Sequence, residues 1–127
     1  MKALADTSVF IARESGRELD REALPEELGI SVITFGELRA GVLAATDLDV
    51  RDRRLATLTA VLALEPIPVD AAVADAWARL RVMLRDARRR MPGNDAWIAA
   101  TALAHGLAVV TQDDDYDVVA GLEIIKV

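Results

Sequence analysis

Short apolar runs alternate along the chain with longer segments in which apolar residues recur every three or four positions. Short runs of this kind predict buried strands, and the periodic segments predict helices. The predicted strands are Lys2–Ala5, Gly29–Ile33, Ile67–Val69, Leu107–Thr111 and Glu123–Val127. The predicted helices are Thr7–Glu14, Thr34 to about Ala45, Asp49–Leu64, Ala71–Arg88 and Asp95 to about His105, with a further short helix within Arg17–Glu27. This alternation predicts an α/β fold, with a mostly parallel sheet of about five strands covered by helices on both faces.

Residues at the ends of two predicted helices support these boundaries. Glu37 follows Thr34 at the spacing of a capping box, in which the glutamate side chain bonds the backbone N–H of the cap residue. Asn94 suits the N-cap of the helix that Asp95 opens. Gly106 suits the left-handed position that ends this helix, because glycine adopts that conformation without steric cost.

Composition narrows the chemistry that is available. The 127 residues predict a single domain, 1–127, and 53% of them are hydrophobic, enough to fill a core. With no cysteine and one histidine, any metal ion would be held by oxygen ligands, which suits Mg²⁺ or Mn²⁺. The segment Ala96–Gln112 carries no formal charge, but it is broken by Gly106 and falls short of the ~20 apolar residues of a membrane span. The N-terminal segment also lacks the features of a signal peptide. We therefore expect a soluble, cytoplasmic protein.

The charge of the chain argues against non-specific binding to nucleic acid but leaves room for a local surface that binds RNA phosphates. The net charge of −6 disfavours non-specific binding to nucleic acid by bulk attraction. However, Lys2 and Lys126 are the only lysines, so 13 of the 15 basic residues are arginine. Several of these extend the predicted helix Ala71–Arg88. They form either a solvated face of the helix or a surface that binds RNA phosphates. The candidate RNA-binding residues are Arg81, Arg85, Arg88 and Arg89.

Carboxylates recur where predicted strands end or nearby helices begin: Asp6, Glu37, Asp95 and a group from Asp113 to Asp117. Each has an ordinary explanation as a helix cap. Together, carboxylates at the carboxyl edge of a parallel sheet would repel one another unless a divalent cation neutralised them. The set therefore predicts a Mg²⁺ or Mn²⁺ site for hydrolysis of phosphodiester bonds.

Four motifs that contain these acids, in this order, resemble the PIN-domain ribonucleases, and specifically the VapC toxins of type II toxin–antitoxin systems. The motifs are Asp6-Thr7-Ser8-Val9, Thr34-x-x-Glu37-Leu38-x-x-Gly41, Asn94-Asp95-x-x-Ile98-Ala99-Ala100-Thr101-Ala102 and Val110-Thr111-x-Asp113-x-Asp115-Tyr116. The resemblance covers essentially the whole chain.

The resemblance implies a PIN-like three-layer α/β/α fold and a Mg²⁺- or Mn²⁺-dependent endoribonuclease. It also implies an RNA substrate, a homodimer and an inhibitory VapB-like antitoxin. The catalytic acids of the family map to Asp6, Glu37, Asp95 and Asp113, with Asp115 as a further metal ligand. Asp114 and Asp117 compete with these last two for the metal. Thr7 and Thr111 correspond to supporting hydroxyls. Tyr116 stands where the family frequently has phenylalanine, and we expect no catalytic consequence.

Two other classes of protein share part of this pattern of acids. A receiver-like signalling domain also has an acidic Mg²⁺ pocket, but it needs a lysine near its last strands and a phospho-acceptor aspartate after a middle strand. Here Asp70 follows a predicted edge strand. The second alternative is a catalytically silent PIN-like module that binds RNA or protein. The complete set of acids disfavours it.

Overall fold

A parallel sheet of four strands forms the centre of the molecule, in the order β2-β1-β3-β4. A computed structural model describes residues 2–127. The strands are β1 Lys2–Ala5, β2 Glu27–Gly29, β3 Val109–Thr111 and β4 Ile124–Lys126. The helices are α1 Thr7–Glu14, α2 Val32–Ala44, α3 Leu48–Leu62, α4 Ala71–Asp86 and α5 Gly93–His105, with a 3₁₀ helix at Asp115–Val118.

Helices cover both faces of the sheet, as the sequence predicted. Alternate residues of a strand point to opposite faces, so Ala3 and Ala5 pack on one side and Leu4 on the other. The first side is covered by α1, α2 and α3, through buried residues such as Phe10, Leu38 and Val61. The second side is covered by α4 and α5, through residues such as Leu80 and Ile98. The predicted three-layer α/β/α arrangement is confirmed.

The predicted fifth strand is absent from the part of the chain described. Ile67 makes only an isolated parallel bridge with Ser31, because Pro66 and Pro68 flank it and lack the N–H groups that a strand needs. The strand predicted at Gly29–Ile33 starts two residues earlier, at Glu27, and ends four residues earlier, at Gly29. It ends early because the Ser31 side chain accepts from the Ile33 N–H (3.0 Å) and so starts α2 at Val32. The short helix predicted within Arg17–Glu27 is irregular chain and turns.

The start of α5 also differs from the prediction, whereas its end does not. The helix begins at Gly93 with Pro92 as N-cap residue, so Asn94 is not the cap and Asp95 lies inside the first turn. The predicted C-terminus is confirmed, since Gly106 adopts a left-handed conformation with φ of 63°. Proline lacks a side chain that could cap the helix, and α5 therefore presents first-turn N–H groups beside Asp95.

None of the helices in residues 2–127 combines the length and the apolar character needed to cross a membrane.

Candidate active site

Asp6 lies at the carboxyl end of β1, where the sheet meets α1. Its backbone N–H donates to the Val110 carbonyl (3.0 Å), which continues the pairing of β1 with β3 by one residue. Its side chain caps α1 by accepting from the Ser8 N–H (3.1 Å) and is only 2% exposed. Asp6 therefore has the capping role that its sequence position suggested, and it is also a carboxylate buried at the sheet edge.

Hydroxyl groups hold both carboxylate oxygens of Asp6. Ser8 Oγ donates to Oδ1 (2.5 Å), and Thr111 Oγ1 donates to Oδ2 (2.8 Å). The same hydroxyls accept backbone N–H groups of the next loop: Ser8 from Gln112 (3.0 Å) and Thr111 from Asp113 (3.0 Å). These contacts fix the Asp6 side chain and join the ends of β1 and β3.

Asp95, in the first turn of α5, lies close to Asp6, Asp115 and Tyr116. The Tyr116 hydroxyl, whose side chain is fully buried, donates to Asp95 Oδ1 (3.3 Å). Burial raises the pKa of Asp95 to about 7, and contact with Asp115 and the charge of Asp6 contribute to the increase, although the Tyr116 hydrogen bond opposes it. The metal-free site therefore disfavours a full negative charge at Asp95.

The pKa of Asp6 is shifted in the same direction. Burial raises this pKa above its ordinary value of 3.8, and the charge of Asp113 adds to the increase, whereas the hydrogen bonds from Ser8 and Thr111 oppose it. Two carboxyl groups at one sheet edge thus resist ionisation for the same two reasons, desolvation and mutual repulsion.

Glu37 is held by Thr7 rather than by its own helix. The Thr7 hydroxyl donates to Glu37 Oε1 (2.7 Å) and lies 3.1 Å from the Thr34 hydroxyl. The predicted capping box of Thr34 and Glu37 is therefore wrong: Ser31 caps α2, and Thr34 is buried within the helix. Because Thr7 follows Asp6 directly, this hydrogen bond places Glu37 beside the same sheet edge.

The four acids after β3 divide into two pairs. Lys126 donates to Asp114 and to Asp117 (3.1 Å for the second), at the exposed surface near β4. Asp113 instead raises the pKa of Asp6, and Asp115 raises the pKa of Asp95. The pair that acts on the buried acids is thus Asp113 and Asp115.

The donors fit a hard divalent cation in chemistry, although they do not enclose one as they stand. In residues 2–127, no three acidic or histidine side chains are grouped closely enough to hold a metal ion. Mg²⁺ commonly binds through one or two carboxylates and keeps several waters, so it does not require a closed cage. The raised pKa values of Asp6 and Asp95 indicate that a positive charge here would relieve an unfavourable interaction.

A cavity of about 470 Å³ adjoins the acids between α2 and α5 and is lined by Val32, Ile33, Gly36, Glu37, Ala40 and Asn94. Glu37 is the one acid of the predicted set that lines it, and Asn94, the neighbour of Asp95, lines it as well. A larger cavity of about 550 Å³ lies between α1 and α3, with Phe10, Ala60 and Val61 among its lining residues. It does not include the acids described above.

The predicted phosphate-binding arginines lie on α4 and the loop that follows, and all four are exposed. The Arg81 guanidinium lies 5.2 Å from the ring centroid of Trp77, which stacks on Trp97 with centroids 4.5 Å apart. Arg85 pairs with the neighbouring Asp86 (3.2 Å). Arg81 is therefore held against an aromatic pair, whereas Arg88 and Arg89 lie in the exposed turn beyond the helix.

Two further side chains contact the acids. Ser8, a hydroxyl residue of the first motif, holds Asp6 and the loop after β3. Tyr116 contacts Asp95, although the comparison with phenylalanine gave no reason to expect a role. The signal was available, since a tyrosine among four aspartates brings a hydroxyl donor into a set of acceptors.

The chain is similar to known proteins in both sequence and fold. A family model for the PIN domain matches residues 3–122. Ribonuclease VapC5 of Mycobacterium tuberculosis is 52% identical over 125 residues, covering 96% of this chain and 93% of the relative. Ribonuclease VapC4 of the same organism is 50% identical over 127 residues, covering 99% and 97%. The crystal structure of VapBC-5 from M. tuberculosis, a member of the VapBC family of toxin–antitoxin systems, superposes with a TM-score of 0.92 at 46% identity, covering 99% of this chain and 98% of that one.

Proposed function

The chain belongs to the PIN-domain family, beside relatives named VapC ribonucleases, and on this premise we propose that it is the endoribonuclease toxin of a VapBC-type pair. The reaction is metal-dependent hydrolysis of RNA phosphodiester bonds. The observation that carries the proposal is the pair of acids Asp6 and Asp95, both with raised pKa values at the carboxyl edge of the sheet. A silent binding module has no need to maintain two such unfavourable carboxylates.

The proposed cofactor is Mg²⁺ or Mn²⁺, and the proposed ligands are Asp6, Glu37, Asp95, Asp113 and Asp115. A bound divalent cation would activate a water molecule and stabilise the charge on the leaving oxygen. The protein orients the ligands: Ser8 and Thr111 hold Asp6, and Thr7 holds Glu37. Because these hydroxyls already hold the ligand side chains in place, less side-chain freedom would be lost when the metal binds.

RNA is the proposed substrate, and the exposed arginines of α4 and its following turn are proposed to bind its phosphates. Arginine suits this role because its guanidinium donates several hydrogen bonds in a fixed plane. Arg88 and Arg89 lie only a few residues before Asp95 in the chain. A backbone bound there would lie near α5, whose first turn contains Asp95.

The decisive experiment is cleavage of total RNA by purified protein, with Mg²⁺, with Mn²⁺ and with excess EDTA. We expect cleavage only with metal, and a loss of at least about a hundredfold in Asp6→Asn, Glu37→Gln and Asp95→Asn with the fold retained. Asp52→Asn, an exposed change on α3, is the control with the same loss of charge. Undiminished cutting in EDTA would contradict the mechanism, and full activity in one variant would remove that residue from the site.

The proposed partner is a VapB-like antitoxin, supported by the toxin–antitoxin complexes among the structural neighbours. A basic side chain of the antitoxin is proposed to enter the acidic site, since arginine pairs bidentately with carboxylates. The toxin alone is proposed to be a homodimer. Co-expression with the product of the adjacent gene should suppress toxicity and yield a co-purifying complex whose mass, by light scattering, reports its stoichiometry. Failure of any neighbouring product to bind would contradict the toxin assignment while leaving the nuclease assignment intact.

A further inference from the structure

Tyr116 is the single tyrosine of the chain, and its side chain is fully buried with the hydroxyl directed at Asp95. Its ring packs in the core between the sheet and α4 and α5, among residues that include Leu4, Leu80 and Ile98. Its hydroxyl donates to Asp95 Oδ1 (3.3 Å), and it also lowers the pKa of Asp6 slightly, against the effect of burial. A phenylalanine would fill the same volume, so core packing does not account for the hydroxyl.

The remaining contacts of Asp95 show what this hydrogen bond does. Asp95 is in the first turn of α5, where no side chain caps the helix, and it is partly exposed. In contrast to Asp6, which accepts from Ser8 and Thr111, Asp95 has Tyr116 as its side-chain donor. Tyr116 therefore contacts one oxygen of Asp95 from the core, while the Asp95 side chain remains partly exposed.

We infer that Tyr116 is a positioning residue, whose hydroxyl fixes the Asp95 carboxylate for metal binding. The inference rests on the proposed function, because it concerns a ligand of the proposed metal site. Residues that hydrogen-bond a metal ligand typically change metal affinity by about 10- to 100-fold when removed.

The test compares Mn²⁺ binding by wild type, Tyr116→Phe and Thr101→Val, with free Mn²⁺ measured by electron paramagnetic resonance in the absence of RNA. Thr101 is the matched control, because it is also fully buried and its hydroxyl donates to the Trp97 carbonyl (2.9 Å) rather than to an acid. We expect Tyr116→Phe to raise the Mn²⁺ dissociation constant by about tenfold, with Thr101→Val close to wild type.

A cleavage assay separates positioning from a general structural effect. If Tyr116 acts through the metal site, saturating Mn²⁺ should restore the cleavage rate of Tyr116→Phe to near wild type, with only the half-saturating concentration raised. A lower rate at every Mn²⁺ concentration, with an unchanged midpoint, would overturn the inference. Wild type that binds no Mn²⁺ would instead overturn the proposed metal site, and the positioning role with it.

A measurement on the unaltered protein does not depend on the variant folding. Tyr116 is the only tyrosine, so labelling tyrosine with ¹³C at the ring carbon bearing the hydroxyl gives a single resonance. Mg²⁺ bound by Asp95 would withdraw electron density from the carboxylate that accepts this hydroxyl. We expect the resonance to shift with the midpoint of metal binding, and a resonance unaffected by saturating Mg²⁺ would overturn the inference.

Discussion

Asp6 combines two roles that looked like alternatives from the sequence. One carboxylate oxygen caps α1 through the Ser8 N–H, and the other accepts from Thr111 on β3. A carboxylate that only capped a helix would gain nothing from burial to 2% exposure, because burial raises its pKa and opposes ionisation. The cap therefore contributes to the orientation of Asp6, and the buried position raises its pKa.

The residue types of the site could be predicted, whereas their partners could not. The sequence motifs identified Asp6, Glu37 and Asp95 because acids next to predicted strand ends and helix starts are visible in one dimension. The hydrogen bond of Thr7 with Glu37 joins residues 30 positions apart, and no local pattern reveals it. The pairing of Lys126 with Asp114 and Asp117 likewise depends on β4 lying next to β3.

At the scale of elements, predictions held where periodicity was strong and failed where chain direction changed. Helix α4 extends over 16 residues with Val73, Leu80 and Leu84 buried at helical spacing, as its pattern indicates. The start of α2 was placed late because Thr34 has a good capping spacing, but Ser31 lies where β2 ends and is used instead. Capping signals within a few residues of each other are resolved by tertiary packing, which the sequence does not display.

The arginines of α4 and its following turn provide a test at this scale. Replacing Arg88 and Arg89 with alanine should weaken RNA binding several-fold irrespective of sequence, and should reduce the slope of log affinity against log salt by up to about 0.7 per lost phosphate contact. Arg79→Ala, on α4 itself, is the control, because Arg79 already pairs with Asp75 (2.9 Å). Filter binding in an Asp95→Asn background, which is expected to be inactive, measures both the RNA affinity and its salt dependence. An unchanged slope would show that these arginines are only a solvated surface and do not bind phosphate.

At the scale of the whole molecule, we expect the acidic edge to make stability depend on pH and on the proposed metal together. The pKa of Asp95 is about 7 in the metal-free fold and has an ordinary value of 3.8. Between these values the folded protein binds more protons than the unfolded chain, so this group lowers stability as pH rises through the window. The destabilisation caused by Asp95 is absent at pH values below 3.8 and complete above about pH 7. The raised pKa of Asp6 acts in the same direction.

Metal binding should reverse this dependence, because a divalent cation requires the ionised carboxylates that the metal-free fold disfavours. In EDTA, we expect the melting temperature to fall as pH rises from about 4 to 7, and Asp95→Asn to flatten this fall and to melt several degrees higher at neutral pH. With Mn²⁺ at fixed ionic strength, wild type should gain most near pH 7, and Asp95→Asn should gain less. Asp52→Asn removes one exposed charge on α3 and should follow wild type in both series.

The opposite outcome is that Asp95→Asn melts at a lower temperature than wild type in EDTA and gains as much from Mn²⁺. In that case Asp95 acts as a favourable negative charge in the first turn of α5, and the proposed coupling of this carboxylate to the metal is wrong.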